Sequence, residues 1–191
     1  MNYLAIDTHA SHLTVVVNFN NQVYSQFIPA CGLTHSVILN KTIEEVLDKA
    51  NASLYDMDFF ACVVGAGSFT GIRIGVSCIK AFAFATNKKV LGITSFDTIA
   101  YDTDRQKVLA IIDAKNGNNY ACTYDNLVAG EPKFISLQEL EELKKEYKVY
   151  SFNDVNVVNG LINAVNDKIN LLTDRENLIP LYVKKSQAEE C

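Results

Sequence analysis

The 191-residue chain is 49% hydrophobic and 20% charged, with a formal net charge of -5 and a pI near 5.2. This balance belongs to a folded globular protein and leaves little room for long disorder. It also lacks the Lys/Arg cluster that gives a chain a basic face for gripping nucleic acid unaided. A chain this long buries roughly 70% of its unfolded surface, so one large core or two small ones form without covalent staples. The cysteines Cys31, Cys62, Cys78, Cys122 and Cys191 are scattered and odd in number, which suits reduced thiols, and no CxxC pair suggests zinc. The N-terminus lacks the basic start and apolar stretch of a signal peptide, and no apolar run reaches the length of a membrane span. The expectation is a cytoplasmic protein without membrane contact.

Residues 3–7, 13–19 and 22–28 read as strands, the latter two joined by Asn20-Asn21, a pair that tolerates hairpin turns. Residues 34–50 set Ile38, Ile43, Val46, Leu47 and Ala50 at helical spacing, with Thr34 as the cap. The apolar run 59–64 is a buried strand that feeds Gly65-Ala66-Gly67-Ser68-Phe69-Thr70-Gly71-Ile72-Arg73-Ile74-Gly75, a tight strand-to-helix turn. Its glycines permit positive dihedrals, and Ser68 or Thr70 caps the helix that follows. That helix, 71–86, is apolar or small except for Arg73, Ser77 and Lys80, which fall at i, i+4 and i+7. A helix of this kind is covered on more than one side, and Gly71 and Gly75 let another helix approach closely. Periodicity weighs burial under the second half of the chain equally with a subunit interface.

Residues 90–94 form a strand before a short helix capped by Ser95. A second copy of the opening pattern starts near Lys107, since Ile111-Ile112-Asp113-Ala114 repeats Ala5-Ile6-Asp7-Thr8. A turn at Asn116-Gly117-Asn118-Asn119 and a strand over 120–124 follow. Ser136 and Glu139 form a capping box before Leu137, Leu140 and Leu143, and 148–152 is a further strand. The Asn-rich stretch 153–174 yields no element. The polar stretch 102–106 is the expected boundary between an N-terminal unit, 1–102, and a shorter C-terminal one, 103–191. The fold class is α/β, with hairpins and strand-helix-strand crossovers building mixed sheets covered by helices.

The run from Gly65 to Gly75 resembles the Gly-Pro-Gly-Ser-Phe-Thr-Gly-Leu-Arg-Ile-Gly signature of the bacterial TsaB (YeaZ-like) family, with Ala66 in place of the usual Pro. Leu4-Ala5-Ile6-Asp7-Thr8, Ile111-Ile112-Asp113-Ala114-Lys115 and Ile179-Pro180-Leu181-Tyr182-Val183-Lys184-Lys185 agree with the same family. The resemblance implies a role in tRNA threonylcarbamoyladenosine biosynthesis and an actin-like/Hsp70-like ATPase fold of two ribonuclease-H-like halves, the second shortened. It further implies a non-catalytic paralogue of TsaD, without a cofactor, that pairs with a TsaD-type subunit and recruits a TsaE-type ATPase. Contact with tRNA is then indirect, and the chain self-associates when alone. The family's helix at 71–86 packs against the paralogue, which marks Gly71, Ile72, Arg73, Gly75, Val76, Ile79 and Phe82 as the expected interface, with Val76→Glu as its disrupting variant.

Asp7, Gly65, Gly67 and Ser68 are the candidates for a nucleotide site. Asp7 ends the first strand, where a carboxylate of this superfold orients a metal-bound nucleotide; its plainer role is to accept from the amides at Thr8 and His9. A second phosphate loop has no candidate beyond Gly160. The paralogue that the family resembles binds metal through two histidines one helical turn apart, whereas His35 has Leu39 at i+4 and Cys31 at i-4. His9 and His12, on a separate hairpin, read as surface residues, so no metal site is expected. No HExxH pair or GxSxG elbow occurs. The alternative reading is a stand-alone kinase or ATPase of the same superfold using Asp7 and the loop from Gly65 to Gly71.

Overall fold

The computed structural model describes residues 1–31, 34–104, 106–114 and 117–183. Lys115, Asn116, Lys184, Lys185 and Cys191 lie outside the described residues. Strands β1 (Tyr3–Asp7), β2 (Leu13–Phe19) and β3 (Gln22–Ile28) form an antiparallel meander. Asn20 and Asn21 both take positive φ, 53° and 62°, as the two-residue hairpin requires. Helix α1 (His35–Ala50), β4 (Phe59–Gly65), α2 (Phe69–Thr86), β5 (Lys89–Thr94) and α3 (Ser95–Ala100) follow. Parallel pairing of β4 with β1 and β5 gives a five-stranded mixed sheet in the order β3-β2-β1-β4-β5.

The second sheet repeats the central arrangement on a smaller scale. Strands β6 (Lys107–Asp113) and β7 (Asn119–Asp125) pair antiparallel, and β10 (Lys148–Tyr150) runs parallel to β6 as β4 does to β1. Short strands β8 (Val128–Ala129) and β9 (Lys133–Ile135) pair with β7, and α4 (Leu137–Leu143) precedes β10. The capping box of α4 is present, with the Ser136 hydroxyl accepting from the Glu139 amide and the Glu139 carboxylate accepting from the Ser136 amide.

Period-two alternation divides the core. On β4, Phe60, Cys62 and Val64 face α1 and α2, whereas Phe59, Ala61 and Val63 face α3 and α5 (Val157–Asp167). Helices α3 and α5 lie between the sheets, and a single apolar cluster joins Tyr3, Val16 and Leu91 of the first sheet to Val108, Ala110 and Tyr124 of the second. The expected boundary at 102/103 falls between α3 and β6, yet this cluster crosses it.

Several expectations are corrected. Helix α5 occupies the stretch that gave no element; Asn156 caps it by accepting from the amides of Val158 and Asn159. Gly160 is no phosphate loop but a contact point, where a Cβ would strike the carbonyl of Thr98. The cap of α3 is Thr94, in a box with Asp97, while the buried Ser95 hydroxyl donates to the Ala66 carbonyl. Thr34 gives α1 no side-chain cap; its hydroxyl donates to the Cys31 carbonyl at 2.5 Å. Helix α2, at 18 residues and mean hydropathy 1.3, does reach the length and composition of a membrane span, and its apolar side packs on the first sheet.

Candidate functional site

The carboxyl ends of the parallel strands β1, β4, β6 and β10 converge, the place where open α/β sheets hold their ligands. His9 and Ser11 after β1, Gly67 and Ser68 after β4, Asp113 at the end of β6 and Phe152 after β10 line a cleft of about 830 Å³. A second cavity of about 780 Å³ adjoins it, sharing Phe152 and Asp113 and lined also by His12, Phe27 and Val157.

Beneath the cleft Asp7 forms the centre of a buried polar cluster. Its Oδ1 accepts from the His9 backbone amide at 3.0 Å and lies 2.5 Å from His9 Nδ1; its Oδ2 lies 3.0 Å from His12 Nε2. A carboxylate only accepts, so both ring nitrogens carry protons. Burial opposes the charge on Asp7, but the His9 ring and the hydrogen bonds from His12 and His9 outweigh it and hold the carboxyl well below the usual range. Burial likewise opposes protonation of His12, and the Asp7 carboxylate reverses this, raising its pKa. Phe152 closes the cluster, its ring centroid 4.6 Å from that of His9 and 5.8 Å from that of His12.

The surface placement expected for His9 and His12 is wrong, since they are 0% and 6% exposed, and His35 is buried as well, at 5%. His35 Nε2 donates to the His12 carbonyl at 2.9 Å and lies 3.1 Å from Cys31 Sγ. Burial pushes the Cys31 thiol up, so it stands as an S–H group directed at the Ser11 carbonyl, 3.1 Å away.

The four nucleotide candidates are brought together, but each is committed to the fold. Asp7 is held by imidazoles. Gly65 and Gly67, at φ 121° and 152°, press against the backbone of Leu181 and His9, leaving no room for a Cβ. Ser68 caps α2 by accepting from the Gly71 amide at 3.2 Å, while its own amide donates to the His9 carbonyl at 2.7 Å. The plainer sequence reading of Asp7 holds at His9, and the two imidazoles are what that reading missed.

The seven interface candidates separate. Gly71, Ile72, Gly75, Val76 and Ile79 are buried in the chain's own core. Gly71 and Gly75 serve the close approach of the Thr8 turn rather than another helix: a Cβ on either would strike Thr8, whose hydroxyl donates to the Gly71 carbonyl at 2.7 Å. Phe82 is half-buried, and Arg73 is exposed. The Arg73 guanidinium carbon stands 3.6 Å above the Phe69 ring, and its Nε donates to the Tyr182 hydroxyl at 2.9 Å. Phe84, also outward and 71% exposed, has the Arg175 guanidinium 5.1 Å from its ring. The outer face of α2 is thus an aromatic and arginine stripe that periodicity alone did not resolve.

Two like sheets enclosing a cleft at their carboxyl ends, with helices on the outer faces and between them, define an actin-like ATPase-fold protein. The structure of YeaZ from Pseudomonas aeruginosa superimposes with a TM-score of 0.80 at 19% identity, over 95% of this chain and 99% of that one. A P. aeruginosa protein described as similar to peptidase YEAZ gives 0.82 at 19% identity, over 96% and 99%. The sequence model of the family TsaD, tRNA N6-adenosine threonylcarbamoyltransferase, matches residues 22–186, and the chain belongs to that family. Among curated relatives it is similar to the tRNA threonylcarbamoyladenosine biosynthesis protein TsaB of Escherichia coli, 30% identical over 65% of this chain and 55% of that protein. The TsaB of Bacillus subtilis is 28% identical over 65% and 55%, and that of Buchnera aphidicola from Schizaphis graminum 29% over 76% and 73%. The matched chain thus spans little more than half the length of two of these three relatives.

Proposed function

We propose that this chain is a supporting subunit in the formation of N6-threonylcarbamoyladenosine in tRNA, docking on a TsaD-type paralogue that performs the chemistry. The observation that carries the reading is the outer face of α2. Phe69, Arg73 and Phe84 hold aromatic and guanidinium surface in solvent, side-chain types enriched at protein–protein interfaces. Family membership and the TsaB relatives support the pathway. The net charge of -5 supports tRNA contact through the complex rather than through this chain. A TsaE-type ATPase is the further partner, and without the paralogue the same face pairs two copies of this chain. The stand-alone kinase or ATPase reading is less supported at its loop, because Gly65 and Gly67 pack on backbone and Ser68 caps α2.

The test is an omit-one reconstitution with threonylcarbamoyladenylate, tRNA, the paralogue and the ATPase subunit, scoring modified adenosine by mass spectrometry. Product is expected only when this chain is present. Equal product without it removes the reading.

A further inference from the structure

We propose that Asp7, His9 and His12 form a binding site for a divalent first-row transition-metal ion such as Zn²⁺. Asp7 Oδ, His9 Nδ1 and His12 Nε2 lie within 4.8 Å of one another. Each ring is paired with a different oxygen of Asp7, at 2.5 Å to Oδ1 and 3.0 Å to Oδ2; an ion about 2.1 Å from each donor spaces donors by roughly 3.4 Å, so the carboxylate turns one oxygen toward both rings and the pairs open as the ion replaces the shared protons. All three donors come from the end of β1 and the turn that leads into β2. That turn is pinned at Thr8 to α2 and at His9 to Ser68, so the backbone that carries the donors is fixed.

Charge argues for a cation at this point. The Asp7 side chain is 1% exposed, and the basic groups within ion-pair reach of it, among the described residues, are the two imidazoles. A sealed carboxylate needs a compensating charge, which is either a proton on a ring or a metal. The donor set decides which metal. Two imidazoles and one carboxylate suit Zn²⁺ or Fe²⁺, whereas Mg²⁺ and Ca²⁺ take oxygen ligands. Three protein donors leave a coordination position, and His9 borders one cavity and His12 the other, so a fourth ligand would come from that side. Coordination through Nδ1 breaks no hydrogen bond on the other edge of His9, because Nε2 has no partner among the described residues.

The competing donors are Cys31 and His35, which touch the same turn through the Ser11 and His12 carbonyls. The experiment therefore titrates chelator-stripped full-length chain with Zn²⁺ by calorimetry and with Co²⁺ by visible absorption. Bound Zn²⁺ is then examined by X-ray absorption. One ion per chain is expected, held at micromolar affinity or better, with an X-ray signature of two imidazoles and no sulfur. His12→Gln should weaken binding at least about tenfold with an unchanged far-ultraviolet circular dichroism spectrum, while Cys31→Ser leaves it intact. No saturable binding up to about 100 µM ion overturns the site. So does a Zn–S shell near about 2.3 Å, which reads the wild-type chain directly and holds even if the His12 variant misfolds.

Discussion

Asp97 shows how much one buried side chain governs here. At 1% exposure it accepts from the Tyr124 hydroxyl at 2.8 Å, from Lys168 Nζ at 2.7 Å and from the Thr94 amide at 2.8 Å. Burial, and after it the Asp97 charge, push the Tyr124 phenol far above its ordinary range, which keeps it a donor. These three partners come from β5, β7 and the end of α5, so one carboxylate ties both sheets to the helix between them. Asp97→Ala leaves a buried hydroxyl and a mostly buried ammonium without an acceptor. The expected loss is about 3–5 kcal/mol of unfolding free energy in urea denaturation, well beyond what removing a surface charge does. A loss below about 1 kcal/mol would show that Lys168 and Tyr124 find other partners. The sequence shows only its local role, the Thr94-to-Asp97 capping box, because its other two partners are 27 and 71 positions away. The Asp7 cluster was hidden differently. Its three members lie within six residues, but polar side chains on a turn default to solvent, and only the fold brings Phe152 over them.

At the scale of the element, α2 was legible in part. Its stripe of Arg73, Ser77 and Lys80 does mark the outward direction: Arg73 and Ser77 are exposed and Lys80 is half-buried. What spacing could not tell was which of the remaining faces meets the chain's own sheet. A helix apolar on almost every side has no strong direction, and the glycines fit a close backbone neighbour of any kind. The structure assigns them to Thr8, which moves the proposed docking face to Phe69, Arg73 and Phe84. The consequence separates two kinds of variant. Val76→Glu puts a charge into the core, where Val76 is 5% exposed, and is expected to unfold the chain. Phe84→Glu combined with Arg73→Glu changes exposed positions and should leave the melting temperature within a few degrees of the parent. The double variant should nevertheless abolish pairing with the paralogue in analytical ultracentrifugation. Pairing at parental affinity by a folded double variant would place the docking face elsewhere on the chain. Helix α5 was missed for a related reason. Asn159, Asn163 and Asn166, weak helix formers, make up its exposed face, and Gly160 reads as a breaker, yet Val157, Leu161, Ala164 and Val165 keep helical spacing on the other face.

The whole molecule turns on that same glycine. The repeat of an apolar strand ending in Asp and a small residue correctly marked where each sheet begins, because strand patterning is local. How the sheets join was illegible, since it depends on α5 returning from the end of the second half to lie on α3 of the first. At Gly160 the helix comes so close that a Cβ would collide with the Thr98 carbonyl, and Leu161, Ala164 and Val165 then complete the apolar cluster shared by both sheets. A molecule with one cluster across the 102/103 boundary should unfold as one cooperative unit, although its sequence suggests two halves. Gly160→Leu is the sharp test. The added side chain has backbone on its far side and cannot be absorbed by a rotamer change, so α5 must lift from α3 and open the cluster. The expected result is a large fall in melting temperature with a single transition, seen identically by far-ultraviolet circular dichroism and by tyrosine fluorescence, because Tyr3 and Tyr124 sit in the same cluster on opposite sheets. If the first sheet instead kept its melting temperature while the second lost structure separately, the halves would be independent folding units, and the cleft between them would be free to open and close as a hinge.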